Sequence, residues 1–168
     1  MPDLDSLNRL PDEAARAELL RCCGSTRWAE RMAAKRPFAS MAELFAAADA
    51  AEAELDRDDW LEAFAAHPKI GGVDSLRAKF ASTAALSAHE QSGVQLAAEG
   101  VLQALAEGNR VYEARFGHIF IVCATGKTAD EMLALLQRRL HNAPDQELTI
   151  AAAEQTKITR LRLPRLCS

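Results

Sequence analysis

Apolar residues recur at helical spacing along most of this chain, and the polar residues between them carry helix start and stop signals. The pattern predicts helices over 12–23 and 25–35, separated at Gly24. Ser40 with Glu43 forms a capping box that opens a helix through about Leu55. The next helix covers 56–66 and stops because Pro68 disfavours helical geometry in the residue before it. Residues 82–107 form the longest helical pattern, ending near Gly108, with 109–116 as a short continuation. Thr128 with Glu131 is a second capping box, for a helix to about His141. Pro144 opens a last helix through about Leu163. One segment departs from this rhythm. Residues 117–126, GHIFIVCATG, are apolar and β-branched between two glycines, with a period of neither 3.6 nor 2. They predict an extended or irregular buried segment. It is either a piece of core or a backbone whose N–H and C=O groups bind a ligand. The fold class that follows is all-α, a single-domain helical bundle of roughly seven or more helices, over residues 1–168.

Two charged residues fall where the stripes should be apolar. The long helix has the stripe Leu86, Val94, Ala97, Val101, Leu105, and Glu90 lies four residues from both Leu86 and Val94. Ser87, Glu90 and Gln91 share one face. Glu90 either turns its tip to water from a boundary position or serves a function, since a carboxylate facing inward is costly without a partner. Gly93 and Gly100 on that helix predict the close approach of another element. The last helix steps through Leu148, Ala151, Gln155, Ile158 and Arg162. Arg162 either snorkels from a surface helix end or holds its guanidinium over a pocket, where the fork grips a carboxylate. His67 is the third anomaly, in AAHPKIGG (65–72). A helix dipole accounts for a histidine at a helix C-terminus but not for the stiff Pro-x-x-Gly-Gly run after it. An imidazole held in one orientation suits proton transfer near neutral pH.

Composition narrows the function. The 168 residues suit one domain with a real core. Aromatics are only 5% and alanine is frequent, which favours packed helices. The net charge of −4 gives no basic footprint for nucleic acid, so an anionic substrate would need local cations. Cys22, Cys23, Cys123 and Cys167 form no CxxC pair and read as reduced thiols of a cytosolic protein. The start, MPDLDSLNRL, lacks a signal pattern, and no apolar run approaches the ~20 residues that span a membrane. His89, His118 and His141 have no metal-ligand spacing, and GxSxG, GxGxxG and Walker patterns do not occur. What remains is one His, one Glu and one Arg on three separate elements.

At these residues the chain resembles a family. HPKIGG, SAHEQSG, NRVYEARFGHIFIVCATGK and ELTIAAAEQTKITRLRL are similar to the motifs of 2-oxo-4-hydroxy-4-carboxy-5-ureidoimidazoline (OHCU) decarboxylases, in order and over nearly the whole chain. The resemblance implies a helical bundle, often a homodimer, that converts OHCU to (S)-allantoin and CO2 with no cofactor, and the sequence itself offers no cluster of metal ligands. It implies His67 of the HP motif as the proton-transferring residue, with Glu90 and Arg162 as the other catalytic residues. It implies substrate contacts at Pro68, at Ser87, Ala88, His89, Glu90 and Gln91, and at Phe120, Ile121, Val122, Cys123 and Ala124. Eukaryotic members often end in a peroxisomal tripeptide. This chain ends Leu-Cys-Ser, so a bacterial cytoplasmic protein is expected. A non-catalytic module of the same shape would be expected to have lost one of the three catalytic residues. An enzyme for a related ureido acid would keep them.

Overall fold

The computed structural model describes the backbone of residues 3–68, 72–80 and 88–167, and their side chains apart from 79, 80 and 88–98. Among the described residues there are nine α-helices and no strand, as an all-α chain requires. They are α1 (Leu4–Arg9), α2 (Asp12–Leu20), α3 (Thr26–Ala34), α4 (Met41–Glu52), α5 (Arg57–Ala65), α6 (Val73–Phe80), α7 (Ala88–Phe116), α8 (Ala129–Arg139) and α9 (Pro144–Arg162). A 3-10 turn at Leu163–Cys167 follows. The chain forms two compact units, Met1–His67 with Leu148–Ser168, and Pro68–Glu147.

The first unit is fixed by its caps and by one buried arginine. Ser25 accepts from the Trp28 N–H and Ser40 from the Glu43 N–H, each at 3.2 Å. Asp56 and Asp59 form a full capping box at the start of α5. These pairs satisfy N–H groups that a helix leaves open at its start. Trp28, Met32, Leu19, Leu44 and Leu163 then bury their faces in one core. The pattern does not predict α1, whose six residues are too few to show a stripe. It is held instead by Arg36, which donates to Leu7 O at 2.8 Å, Leu10 O at 2.7 Å and Asp12 at 2.7 Å. Asn8 and Phe38 exchange two bonds of 2.9 Å.

The second unit corrects the reading of Gly108. Instead of ending a helix there, α7 continues unbroken to Phe116. A Cβ on Gly108 would sit 2.5 Å from Leu136 Cδ2, so the glycine lets α8 come close. A helical glycine costs only about 1 kcal/mol against alanine, which Leu102, Leu105, Tyr112, Met132 and Leu136 outweigh by burial. Gly100 does not show the expected close approach: a Cβ there meets nothing within 4 Å. Gly93, and the start of the predicted 82–107 helix at 82–87, lie outside the described side chains and residues. The pattern also does not predict α6, where Val73, Leu76 and Phe80 span barely two turns. Residues 119–124 are irregular, as expected, and the flanking Gly117 and Gly126 have φ of +79° and +76°, which suits glycine.

Gly108→Val should lower stability by about 1–3 kcal/mol through overpacking. Adding Leu136→Ala to that variant should cost much less than Leu136→Ala alone, because the new methyls occupy the vacated space. Denaturant unfolding of the two single variants and the double variant checks this. Simple addition of the losses would show that the two residues do not share that space.

Candidate active site

The imidazole of His67 is placed by three helix ends of the first unit. His67 follows the last turn of α5, where its N–H bonds Phe64 O at 3.2 Å. The corner between α2 and α3 packs against that turn. A Cβ on Gly24 would lie 2.3 Å from Ala66 Cβ, so only glycine allows the approach. Thr26 adds two bonds of 2.8 Å to Glu62 on α5. The ring of His67 then meets α9: Nε2 lies 2.5 Å from Gln155 Oε1. Gln155 Nε2 donates to Thr159 Oγ1 at 3.1 Å, and Thr159 Oγ1 donates to Cys22 O at 3.3 Å. Gln155 and Thr159 are both fully buried. His67 is held below the ordinary imidazole pKa, first by burial and then by the Arg162 charge, against the opposing Gln155 bond.

Arg162 is neither a freely solvated helix end nor buried. Nη1 donates to Arg21 O at 3.3 Å. Its charge reaches both His67 and Cys22. It lines a cleft of about 250 Å³ with Glu18, Arg21, Cys22, Arg165 and Leu166. A guanidinium has five N–H donors, and among the described residues Arg162 uses its own for one bond only. Arg160, two residues earlier, turns to α4, pairs with Asp49 and lies 5.3 Å over the Phe45 ring. Burial pushes the Cys22 thiol up to about 12 and Cys23 up to about 11, so neither is a thiolate nucleophile at neutral pH.

The other expected contacts belong to the second unit or lie outside the description. Pro68 is exposed. Ser87 lies outside the described residues. Ala88, His89, Glu90 and Gln91 form the first described turn of α7, with side chains outside the description. In the irregular segment Phe120, Ile121 and Cys123 are buried, while Val122 and Ala124 are half-buried. Arg139 Nη1 donates to Ile121 O and Lys127 Nζ to Cys123 O, each at 2.7 Å. The Lys127 N–H takes Ala124 O at 3.0 Å. Those carbonyls are occupied, whereas the backbone groups of Phe120 and Val122 bond no described residue. The segment rests on a buried cluster. Glu147 accepts from Arg139 Nε and Tyr112 OH at 2.5 Å each and from Asn142 Nδ2 at 3.0 Å. The Arg139 guanidinium lies 4.5 Å over the Phe120 ring.

Sequence patterns miss Gln155, Thr159, Arg139 and Glu147 as working residues. A polar residue on the apolar stripe, Gln155, is the one signal that was available. The class defined by fold and site is an all-helical protein that holds a half-buried imidazole against a buried amide, with a guanidinium whose charge acts on the ring. The chain belongs to the OHCU decarboxylase family, whose profile matches residues 8–164. It is 43% identical over 150 residues to the uric acid degradation bifunctional protein TTL of Arabidopsis thaliana, covering 88% of this chain but 45% of that protein's length. It is 29% identical to a 2-oxo-4-hydroxy-4-carboxy-5-ureidoimidazoline decarboxylase of Haloferax volcanii, covering 95% and 93% of the two chains. A crystal structure of OHCU decarboxylase in the presence of (S)-allantoin superposes with a TM-score of 0.71 at 39% identity, covering 94% and 98%.

Glu147→Leu should destabilise the protein by about 3–5 kcal/mol, because it leaves Arg139 charged and unpaired in the interior. Arg110→Ala, which breaks an exposed pair with Glu107, should cost roughly 0–1 kcal/mol. Denaturant midpoints of the two variants make the comparison, and similar losses would remove the buried cluster as the segment's anchor.

Proposed function

We propose that this protein decarboxylates OHCU to (S)-allantoin and CO2 without a cofactor, the last step from urate to allantoin. The observation that carries the reading is His67, kept neutral at pH 7 and pinned by Gln155, with the Arg162 charge acting on it. OHCU bears a carboxylate and a hydroxyl on one ring carbon beside a C=N bond. The carbon–carbon bond to the carboxylate breaks and CO2 leaves. The bonding pair forms a ring C=C bond, while the C=N pair moves onto nitrogen, which takes a proton. The hydroxyl then gives its proton to His67 as its oxygen becomes a carbonyl. The C=C pair takes a proton on one face of the carbon that bears the ureido group. One proton is consumed overall, and the product is chiral at that carbon. Because the ring accepts the electrons, the protein need supply only orientation, proton transfer and handedness.

Arg162 holds the substrate anion, and its uncommitted N–H groups suit a two-bond grip. The family resemblance supports Glu90 and Gln91 as partners of the ureido and ring N–H groups, with Pro68, Ser87, Ala88 and His89 around them. It also supports the 120–124 backbone as the reader of the ring edge, and the open backbone groups of Phe120 and Val122 are the ones suited to it. The same resemblance supports a homodimer in the cytoplasm. Among the described residues no helix is long and apolar enough to cross a membrane.

The test is circular dichroism of freshly generated OHCU with the purified protein, in which optically active allantoin should build up above the racemic background. His67→Asn should lower the rate by ~100- to 10,000-fold, and a loss below about threefold would take His67 out of the chemistry. Arg162→Lys should keep its melting temperature yet lose roughly ten- to a hundredfold in kcat/KM, while Arg160→Lys should leave kcat/KM unchanged. Equal losses at both positions would withdraw the anion site.

The pH dependence has a definite sign. The folded pKa of His67 lies below the ordinary 6.5, so its neutral form should persist into mildly acid solution. The acid limb of kcat/KM should therefore fall below pH 6.5. Between the folded pKa and 6.5 the unfolded chain binds more protons. The contribution of His67 to stability is thus present above 6.5 and lost as pH falls through that window. An acid limb above 6.5 that disappears in His67→Asn would contradict this.

A further inference from the structure

We infer that Gln155 is a positioning residue that fixes His67 as the Nε2–H tautomer, so that Nδ1 is the nitrogen that takes and returns the proton. The inference deepens the proposed decarboxylation and rests on that reading for its catalytic part. Its tautomer part stands on the geometry of the first unit alone.

The direction of the hydrogen bonds follows from where the Thr159 proton goes. Thr159 faces two acceptors, the backbone carbonyl of Cys22 at 3.3 Å and the Cys23 sulfur, and its single hydroxyl proton goes to one of them. Thr159 Oγ1 can then only accept from Gln155, which turns the amide NH2 toward Thr159. The amide oxygen is left facing His67, and an oxygen only accepts. Nε2 must therefore carry the hydrogen at that 2.5 Å contact. A neutral imidazole has one N–H, so Nδ1 holds the lone pair. Among the described residues Nδ1 makes no hydrogen bond, and the ring is half-buried rather than sealed. Gln155 and Thr159 lie one helical turn apart on α9, and both are fully buried. The order of the bonds is thus shielded from water, which could otherwise reverse it. A glutamine also keeps the acceptor neutral. A carboxylate in its place would stabilise the imidazolium and hold the ring charged to higher pH, with the Arg162 charge opposing it.

The test uses the full-length protein with nitrogen-15-labelled histidine. His67→Asn identifies the His67 signals among those of the four histidines. Above the His67 titration, the wild type should show a pyrrole-type Nε2 and a pyridine-type Nδ1. Gln155→Leu should give mixed tautomers and lower kcat on the order of 10- to 100-fold, below the ~10²–10⁴ expected for losing the imidazole, with KM changed less than about threefold. Thr159→Val keeps the glutamine but frees its amide to turn, so it should give the same changes in smaller measure, and it covers the case in which Gln155→Leu fails to fold. Gln155→Glu should keep Nε2–H and move the acid limb of kcat/KM to higher pH. An Nδ1–H tautomer in the wild type overturns the inference, and so does retention of Nε2–H with full kcat in both Gln155→Leu and Thr159→Val. The spectra need no substrate, so a protein that makes no allantoin yet shows the expected tautomers refutes the decarboxylase reading and not the tautomer assignment.

Discussion

A primary amide buried in an apolar core must be bonded at both ends, and the first unit is organised around one such group. Gln155 is fully buried. Leaving one end of it unpaired would cost about 1–3 kcal/mol, a large part of the margin on which a domain of this size is stable. Its two ends find the imidazole past α5 and a hydroxyl on its own helix, and that hydroxyl finds the turn that follows α2. Three chain segments are thus required to converge on one point. The apolar core would tolerate small slips of these helices, but the relay would not, because a hydrogen bond weakens steeply with misalignment. Gly24 has its place in the same constraint, since a side chain there would push the α2–α3 corner off Ala66, next to His67.

The second unit solves a different problem with the same device. An irregular segment cannot satisfy its own backbone, so buried side chains must do so. Arg139 and Lys127 cover the carbonyls of Ile121 and Cys123. Glu147 holds Arg139 in turn, with Tyr112 and Asn142 filling further acceptor positions on the carboxylate. Such a pair is weak support for stability as such, because desolvating both charges offsets much of their attraction. Its effect is on geometry. It fixes the Ile121 carbonyl in place, while the backbone groups of Phe120 and Val122 bond no described residue.

Most helices were legible because their ends are written locally. Ser40 with Glu43 and Thr128 with Glu131 act within one turn, and each N-cap bond is present. Gly108 was misread because a glycine that ends a helix and one that admits a neighbour look alike until Leu136 is in place. The irregular segment was legible from its broken period, but its support was not. Arg139 in a last helical turn reads as a dipole partner in water, and its burial depends on Glu147 and Ile121. His67 and Arg162 stood out as anomalies. Gln155 did not, although it sits on the same stripe as Arg162, because its partner is 88 residues away in the chain.

The electrostatics of His67 show why the amide and the guanidinium belong on one helix. A cation near an imidazole disfavours the imidazolium and so opposes proton uptake. Burial acts in the same direction and more strongly. Together they weaken the ring as a base. The Gln155 bond works against both, and its effect ranks above that of Arg162 and below that of burial. The balance leaves a ring that is neutral at pH 7, the form that can accept a proton. The amide thus offsets part of what the guanidinium charge does to the ring. The two residues of α9 are therefore linked: the buried amide offsets the charge about two turns further along the same helix.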